Sequence, residues 1–478
     1  MKSDFRPEKK LTPEYLERLK EIVGSENVLV DPERIIDYSH DESTQSEWTR
    51  LPEAVITPTS TEAIASLMKF ASETELAITP RGGGTGLSGG CIPLRGGLVL
   101  SLEKMNRILE IDVANQMATV EAGVTLGQLI QAAQEAGLAF PPHPGDESAQ
   151  IGGLISTNAG GSRAVKYGGI RNYVRGLEIV LPSGEIIHPG GKIVKSSSGY
   201  NLLHLFIGSE GTLGIITKAI IQLLPAPAFS RSLVIPYADL DKAIETVPAI
   251  IQAKIIPLAI EFVEKDVIFI TEEYLKKRWP SRIGQTDLLI ILEASSEEEL
   301  DCLSRQVAEV CLERGALDVL VADTPSRQQQ ILEIRSKIYE AIKPVTVEIL
   351  DIALPRSEIA AHVRRVKEIE TEVSLWLPTF GHAGDGNVHT HITRVSREGN
   401  RLLPLEESVW KEKAIKVKKW LYEDGLSRGG VLSGEHGIGV IKKAEFLQFT
   451  EKAQLDIMRQ IKKIFDPKGI LNPGKVVD

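Results

Sequence analysis

Cysteine is scarce, with three in 478 residues. So few thiols exclude a disulfide scaffold, and Cys91, Cys302 and Cys311 offer no spacing that could hold an iron–sulfur cluster. Long apolar runs are absent too: none approaches the roughly 18 residues that a membrane-spanning helix needs. Positive charge is in deficit, 55 Lys+Arg against 65 Asp+Glu for a net −10. That argues against a nucleic-acid partner, because phosphate binding wants a basic surface. The amino-terminal MKSDFRPEKK is charged and has no apolar core of the kind a signal peptide carries. The expectation is therefore a cytoplasmic protein, although an organellar chain with its transit peptide removed would read the same. What is present is ordinary soluble-protein material, 42% hydrophobic and 25% charged, in a length that predicts about two to four domains.

Glycine is the exception, since 26 of the 41 glycines fall between residues 81 and 214. Two dense stretches stand out, PRGGGTGLSGGCIPLRGG from Pro80 and PGDESAQIGGLISTNAGGSRAVKYGG from Pro144. Gly84, Gly86 and Gly89 fit the dinucleotide pattern G-x-G-x-x-G, with Glu103 at about the distance of its acidic residue. That pattern needs a helix directly after the glycines, and Gly90, Pro93, Gly96 and Gly97 leave no room for one. The match is read as a decoy. Successive glycine N–H groups turned into one concavity can instead bind phosphate oxygens. In the second stretch Ser148, Ser156, Thr157 and Asn158 add hydroxyl and amide groups. Two such cradles suit a pyrophosphate carrying a bulky group.

Around these stretches the pattern predicts a short helix within 11–30 and a strand at 54–57. A helix from about Ser60 follows, with Ala63, Ile64, Leu67, Met68 and Ala71 on one face. Next come the strand GLVLSL, two strands near 108–111 and 118–120, a helix over 126–136, and a hairpin of 177–181 with 185–188 across PSG. Proline-rich LLPAPAF at 223–229 marks a boundary. Beyond it an α+β texture begins, with strands SLVIPY, LAIEFV and DLLIILEA and a helix over 296–314 capped by Ser295 and Glu298. EESVWKEKAIKVKKWLYEDG reads as an amphipathic, solvated helix.

The ordered set PRGGGTGLSGG, PPHPGDESAQIGGLISTNAGGSRAVKYGG and GSEGTLGIIT, spread over roughly 50–226, resembles the FAD domain of the vanillyl-alcohol oxidase and p-cresol methylhydroxylase superfamily. The resemblance implies that the pyrophosphate is wrapped by Pro80, Arg81, Gly82, Gly83, Gly84, Thr85 and Gly86. Pro144, Gly145, Asp146, Ser148, Gly152, Gly153, Ser156, Thr157, Asn158, Gly160 and Gly161 would complete the wrap. Glu210, Gly211 and Ile216 would line the adenine and ribose side. Some relatives attach FAD covalently through an early His, but none lies between Arg81 and Pro142, so non-covalent FAD is expected.

Four of the last five histidines lie in GHAGDGNVHTH (His382, His389, His391) and SGEHGIG (His436, beside Glu435). His382 and His389, seven apart with glycines between them, can converge if the segment turns. Imidazole with carboxylate suits a borderline divalent ion such as Zn²⁺, Mn²⁺ or Fe²⁺. These motifs resemble the carboxy-terminal domain of FAD-linked oxidases, whose members include D-lactate dehydrogenases, the glycolate oxidase catalytic subunit and D-2-hydroxyglutarate dehydrogenase. The resemblance implies His382, His389 and Glu435 as metal ligands, His436 as catalytic base and Asn387 as a substrate contact. Through DPKGILNPGK, it also implies that Asn472 returns to the flavin domain. His391 would share a strand face with His389. Arg335 lies where relatives hold the substrate carboxylate, and a surface charge on its helix is the other reading. Relatives that take dicarboxylates carry a basic residue just before a segment like DIALP. Glu348, Ile349 and Leu350 stand there instead, which favours a monocarboxylate.

The expected architecture is α+β. A two-part FAD-binding domain of the p-cresol methylhydroxylase type spans 1–227, an α+β substrate (cap) domain spans 228–425, and 426–478 returns to complete the site. The expected activity is oxidation of a small D-2-hydroxy acid, D-lactate or glycolate, with electrons passed to an electron-transferring flavoprotein or an iron–sulfur subunit. The chain would work as a homodimer or within a hetero-complex. The alternatives are a D-2-hydroxyglutarate-type dehydrogenase, a redox-neutral transferase like the alkyl-dihydroxyacetone-phosphate synthases, and an electron-storing subunit without a metal.

Overall fold

The computed structural model describes residues 10–43, 46–399 and 401–477; the charged amino-terminal stretch, Lys10 apart, lies outside them. The described residues form two compact units, one falling within 1–159, 169–226 and 435–478, the other within 160–168 and 227–434. No helix among the described residues is long and apolar enough to cross a membrane.

The first unit opens with a helix over Pro13–Val23. A four-stranded sheet follows, built from β1 (Val28–Leu29), β2 (Ala54–Ile56), β3 (Ile78–Arg81) and β4 (Leu98–Ser101) in the order β1-β2-β4-β3. Strands β2, β4 and β3 run parallel, so a crossover is required, and helix α1 (Thr61–Thr74) supplies it. Ser60 caps α1 by accepting from the Ala63 N–H at 3.2 Å, and Ile64, Leu67, Met68 and Ala71 are buried as their spacing predicted. No helix lies between β3 and β4, where a dinucleotide fingerprint would need one, and Glu103 instead accepts from the Tyr38 hydroxyl.

A second, antiparallel sheet holds β5 (Ile108–Asp112), β6 (Met117–Glu121), β7 (Val174–Val180), β8 (Ile186–Ile187) and β9 (Ile215–Gln222), in the order β5-β6-β9-β7-β8. The β7–β8 hairpin is the one read across PSG. Between β6 and β7 come α2 (Leu126–Glu135) and α3 (Ile151–Thr157). The carboxy-terminal segment rejoins this unit. Ile470 O accepts from the Ile78 N–H at 2.8 Å, and the buried Lys462 ammonium donates to Thr212 O, Asp466 and Leu471 O.

The second unit is built on a seven-stranded antiparallel sheet. Its strands in chain order are β10 (Phe229–Tyr237), β11 (Ala259–Glu264), β12 (Thr286–Ala294), β13 (Leu320–Val321), β14 (Thr346–Ala353), β15 (Thr379–His382) and β16 (Asn387–Thr393). They lie in the order β13-β10-β12-β11-β15-β16-β14. Val234, Val263, Leu289, Ile334, Trp376 and Phe380 belong to one apolar cluster of this unit. The helix expected from 296 begins one residue later, at Glu297. Ser296 rather than Ser295 is its cap, accepting from the Glu299 N–H, while the Glu299 carboxylate accepts from the Ser295 N–H. The cap is thus shifted by one residue and is not reciprocal, because the extended backbone needed at a cap falls on Ser296 while the Glu299 carboxylate reaches Ser295. Residues 160–168, read as the end of the second glycine stretch, belong to this unit, where Lys166 pairs with Glu293 at 2.8 Å.

Candidate active site

In the first unit the three glycine motifs come together. A Cβ on Gly82 would meet the Gln150 side chain at 3.5 Å and Gly153 Cα at 3.7 Å, and one on Gly83 would meet Ser148 O at 3.1 Å. The third motif packs on both others: the Glu210 N–H donates to Ser156 O at 2.7 Å, and a Cβ on Gly211 would meet Pro80 at 3.2 Å. Gly84 and Gly89 take φ of +77° and +73°, which side chains other than glycine rarely adopt. Arg81 is spent on shaping the loop, donating to His40 O at 2.6 Å and Asp37 O at 2.9 Å. By contrast, a Cβ on Gly145 or Gly153 would find nothing within 4 Å. Bare backbone beside open space is what close approach to a pyrophosphate requires, so this cradle fits FAD.

Some residues of the expected FAD wrap are turned inward here. The Ser148 hydroxyl and N–H both donate to Asp146, the Ser156 hydroxyl donates to Gly152 O, and the Thr157 hydroxyl donates to Gly153 O. Asn158 ends α3 in the left-handed region, with φ +51°, and accepts from the Arg171 N–H. Ile216 is buried in β9. Gly160 and Gly161 lie in the second unit. The Glu210 carboxylate accepts from the Ile438 N–H at 2.8 Å and the Gly439 N–H at 2.7 Å. Burial pushes this carboxyl up, against the pull of those two donors.

Those contacts stitch the SGEHGIG segment onto the glycine loops. Ser88 donates its hydroxyl to His436 O at 3.0 Å and accepts at its carbonyl from the Val440 N–H. His436 Nε2 stands 3.6 Å from a Glu435 carboxylate oxygen. Asn472 also returns as expected, its amide donating to Gly90 O at 2.9 Å and Glu210 O at 2.8 Å.

In the second unit the sheet register gathers the other candidates. Glu261 on β11 pairs with His382 on β15, His382 with Asn387 on β16, and Asp351 on β14 with His389 on β16. The His382 and His389 rings lie 5.3 Å apart, edge to face, so the glycine-rich turn does make them converge. His389 Nε2 is 3.4 Å from Asp351 Oδ1 and 3.1 Å from the Asn387 amide. Asp351 accepts the Ser433 hydroxyl at 2.8 Å, and its carbonyl accepts the Gly434 N–H at 2.9 Å. His391 shares the β16 face with His389, stacks on Phe380 at 5.1 Å and approaches Tyr339.

Arg335 projects from α6, here the helix Pro325–Ser336 once α2 and α3 are followed by α4 (Leu240–Gln252) and α5 (Glu297–Glu313). It is not a surface charge. Its guanidinium pairs with Glu261 and sits 5.1 Å over the Phe380 ring, while its Nε is buried without a hydrogen-bond partner. Burial pushes the Glu261 carboxyl up, but His382 and Arg335 outweigh it and hold the group below the usual carboxylate range.

Sequence reasoning missed Glu261 and Asp351. The signal was an acid inside each of two buried strand runs, LAIEFV and EILDIALP, where an unpaired carboxylate would be costly. Glu348, read as the replacement for a basic residue, pairs with Lys418 at 2.8 Å.

Comparison with known proteins agrees with both halves. Residues 226–476 match the family described as FAD linked oxidases, C-terminal domain, and residues 52–190 match an FAD binding domain. The chain is 46% identical to a D-lactate dehydrogenase of Archaeoglobus fulgidus, over 88% of this chain and 91% of that one. It is 37% identical to the glycolate oxidase subunit GlcD of Bacillus subtilis, over 98% and 97%. Its fold is similar to that of 4-ethylphenol oxidase from Gulosibacter chungangensis, with TM-score 0.78 at 20% identity over 98% of each chain. The chain belongs to the FAD-linked oxidase family, and it is an FAD-linked oxidoreductase.

Proposed function

We propose that the protein oxidises a small D-2-hydroxy monocarboxylic acid, D-lactate or glycolate, to the 2-oxo acid. The observation that carries this is Arg335, a part-buried guanidinium with an unspent Nε donor, held from its helix against Glu261 and Phe380 on the sheet that also carries the converging His382 and His389. A desolvated guanidinium with a free donor suits a carboxylate. The 37–46% identity to a D-lactate dehydrogenase and a glycolate oxidase subunit supports the same substrate class.

In this reading residues 1–227 serve the flavin, 228–425 the substrate, and 426–478 complete both the active site and the flavin domain. FAD is held non-covalently by the glycine cradle, and His382, His389 and Glu435 hold a divalent ion, with Asp351 a further donor. When bound, the flavin supplies a two-electron acceptor for the Cα hydride, and the ion a Lewis acid for the substrate oxygens. Arg335 binds the carboxylate, Asn387 orients the substrate, and His436 takes the hydroxyl proton on its imidazole. Electrons leave to a protein carrier, a flavoprotein or iron–sulfur subunit.

Anaerobic mixing with D- and L-2-hydroxy acids tests the reading. D-lactate or glycolate should bleach the oxidised flavin band, L-lactate and D-2-hydroxyglutarate much less. Silence with every 2-hydroxy acid would overturn it.

A further inference from the structure

Glu261 is a buried carboxylate of the second unit that the reading above leaves without a role. It is 1% exposed in the middle of β11. One carboxylate oxygen lies 2.7 Å from His382 Nδ1, and the other pairs with Arg335. A carboxylate is acceptor-only, so His382 must present Nδ1–H to it. That fixes the tautomer: in the neutral ring the lone pair is left on Nε2. The same carboxylate anchors one end of the Arg335 guanidinium while Phe380 lies beneath its plane. Neither partner can turn without breaking a desolvated, charge-assisted hydrogen bond.

We propose that Glu261 is a positioning residue, whose single carboxylate aligns His382 Nε2 for a divalent ion and the Arg335 fork for the substrate carboxylate. The inference deepens the proposed function and rests on its reading of His382 as a ligand. It follows that the ion half and the carboxylate half of the site are tied through one side chain, so a change at Glu261 moves both.

Three measurements on the full-length flavoprotein test this. In the zinc-loaded protein, ¹⁵N spectra of ring-labelled histidine, assigned against His382→Gln, should show His382 neutral and protonated on Nδ1. Any other protonation pattern overturns the proposal. Glu261→Gln keeps the volume but cannot accept from both partners. It should weaken Zn²⁺ binding by about 10- to 100-fold and raise the KM for D-lactate, with the spectrum of the bound flavin little changed. Unchanged Zn²⁺ affinity overturns the proposal. Glu261→Gln combined with Arg335→Met removes the uncompensated cation. If Glu261 only neutralises charge, Zn²⁺ affinity returns in the double variant, which also overturns the proposal; continued weakness supports it. The zinc and tautomer results stand even if no 2-hydroxy acid reduces the flavin, so failure of the inference and failure of the substrate reading are separable.

Discussion

Adjacent glycines at the start of α3 should respond in opposite ways to the same added methyl. A Cβ on Gly152 would meet Ala122 Cβ at 2.8 Å and Ala122 O at 3.2 Å, so backbone must shift to admit it. A Cβ on Gly153 meets nothing within 4 Å. In the flavin-free protein Gly153→Ala gains helix propensity of about 0.5–1 kcal/mol and should raise the midpoint by about 1–4 °C. Gly152→Ala pays an overpacking cost of about 1–3 kcal/mol and should lower the midpoint by about 2–8 °C. With FAD the order inverts. The open space at Gly153 is the cradle itself, so the methyl there should cost about 1–3 kcal/mol of FAD binding, roughly 5- to 150-fold in Kd. Circular-dichroism melting of the stripped protein and flavin fluorescence titration read the two quantities separately. Equal destabilisation of the stripped protein by both substitutions, or unchanged FAD affinity in Gly153→Val, would refute the reasoning.

Four further outcomes follow from the same geometry. His436→Ala should keep the bound-flavin spectrum yet slow flavin reduction by D-lactate about 10²–10⁴-fold; unslowed bleaching in stopped flow would remove His436 from proton transfer. Arg335→Lys loses the planar fork, and the loss of about 1.5–3 kcal/mol of charged hydrogen bonding should raise KM far more than it lowers kcat. Chelation should abolish reduction by D-lactate while leaving flavin absorbance intact, and added Zn²⁺ or Mn²⁺ should restore it; full activity after verified metal removal would contradict the metal reading. Burial pushes Glu178 up, but the Thr61 and Thr217 hydroxyls and Lys218 draw it down to about 2, from an ordinary 4.5. Its folded value is depressed, so its stabilisation is present above pH 4.5 and lost as pH falls toward 2. Wild type should therefore melt above Glu178→Gln at neutral pH, the gap closing across that window.

Elements whose signal is local were legible in the sequence. The α1 stripe of Ile64, Leu67, Met68 and Ala71, the PSG hairpin and the absence of a helix after Gly89 all follow from spacing and from glycine and proline chemistry. What was not legible depends on long-range pairing. Glu261 acquires its meaning only when β11 is laid beside β15, placing it opposite His382, 121 residues away. The Glu210 carboxylate likewise takes its donors from residues 228 and 229 positions further along. Glycine density located the cradle but not its edges, because density does not distinguish backbone left bare for a ligand from backbone that turns between units at Gly160–Gly168.

The Glu210 clasp also bears on why a carboxylate is held in so buried a place. Both its oxygens accept backbone N–H groups, from Ile438 and Gly439, and a Cβ on Gly437 would meet the carboxylate at 3.0 Å. Replacing Glu210 with an apolar residue would leave both N–H groups without those acceptors, each worth about 1–3 kcal/mol when buried. The penalty falls on the segment carrying His436, whose carbonyl is the acceptor of the Ser88 hydroxyl. Two glycine motifs therefore hold the segment that carries the histidine, the Ser88 hydroxyl at the carbonyl of His436 itself and the Glu210 carboxylate at the N–H groups of Ile438 and Gly439. The same residues that shape the cradle also set where His436 stands relative to it, so its position beside the glycine loops follows from the fold of the first unit.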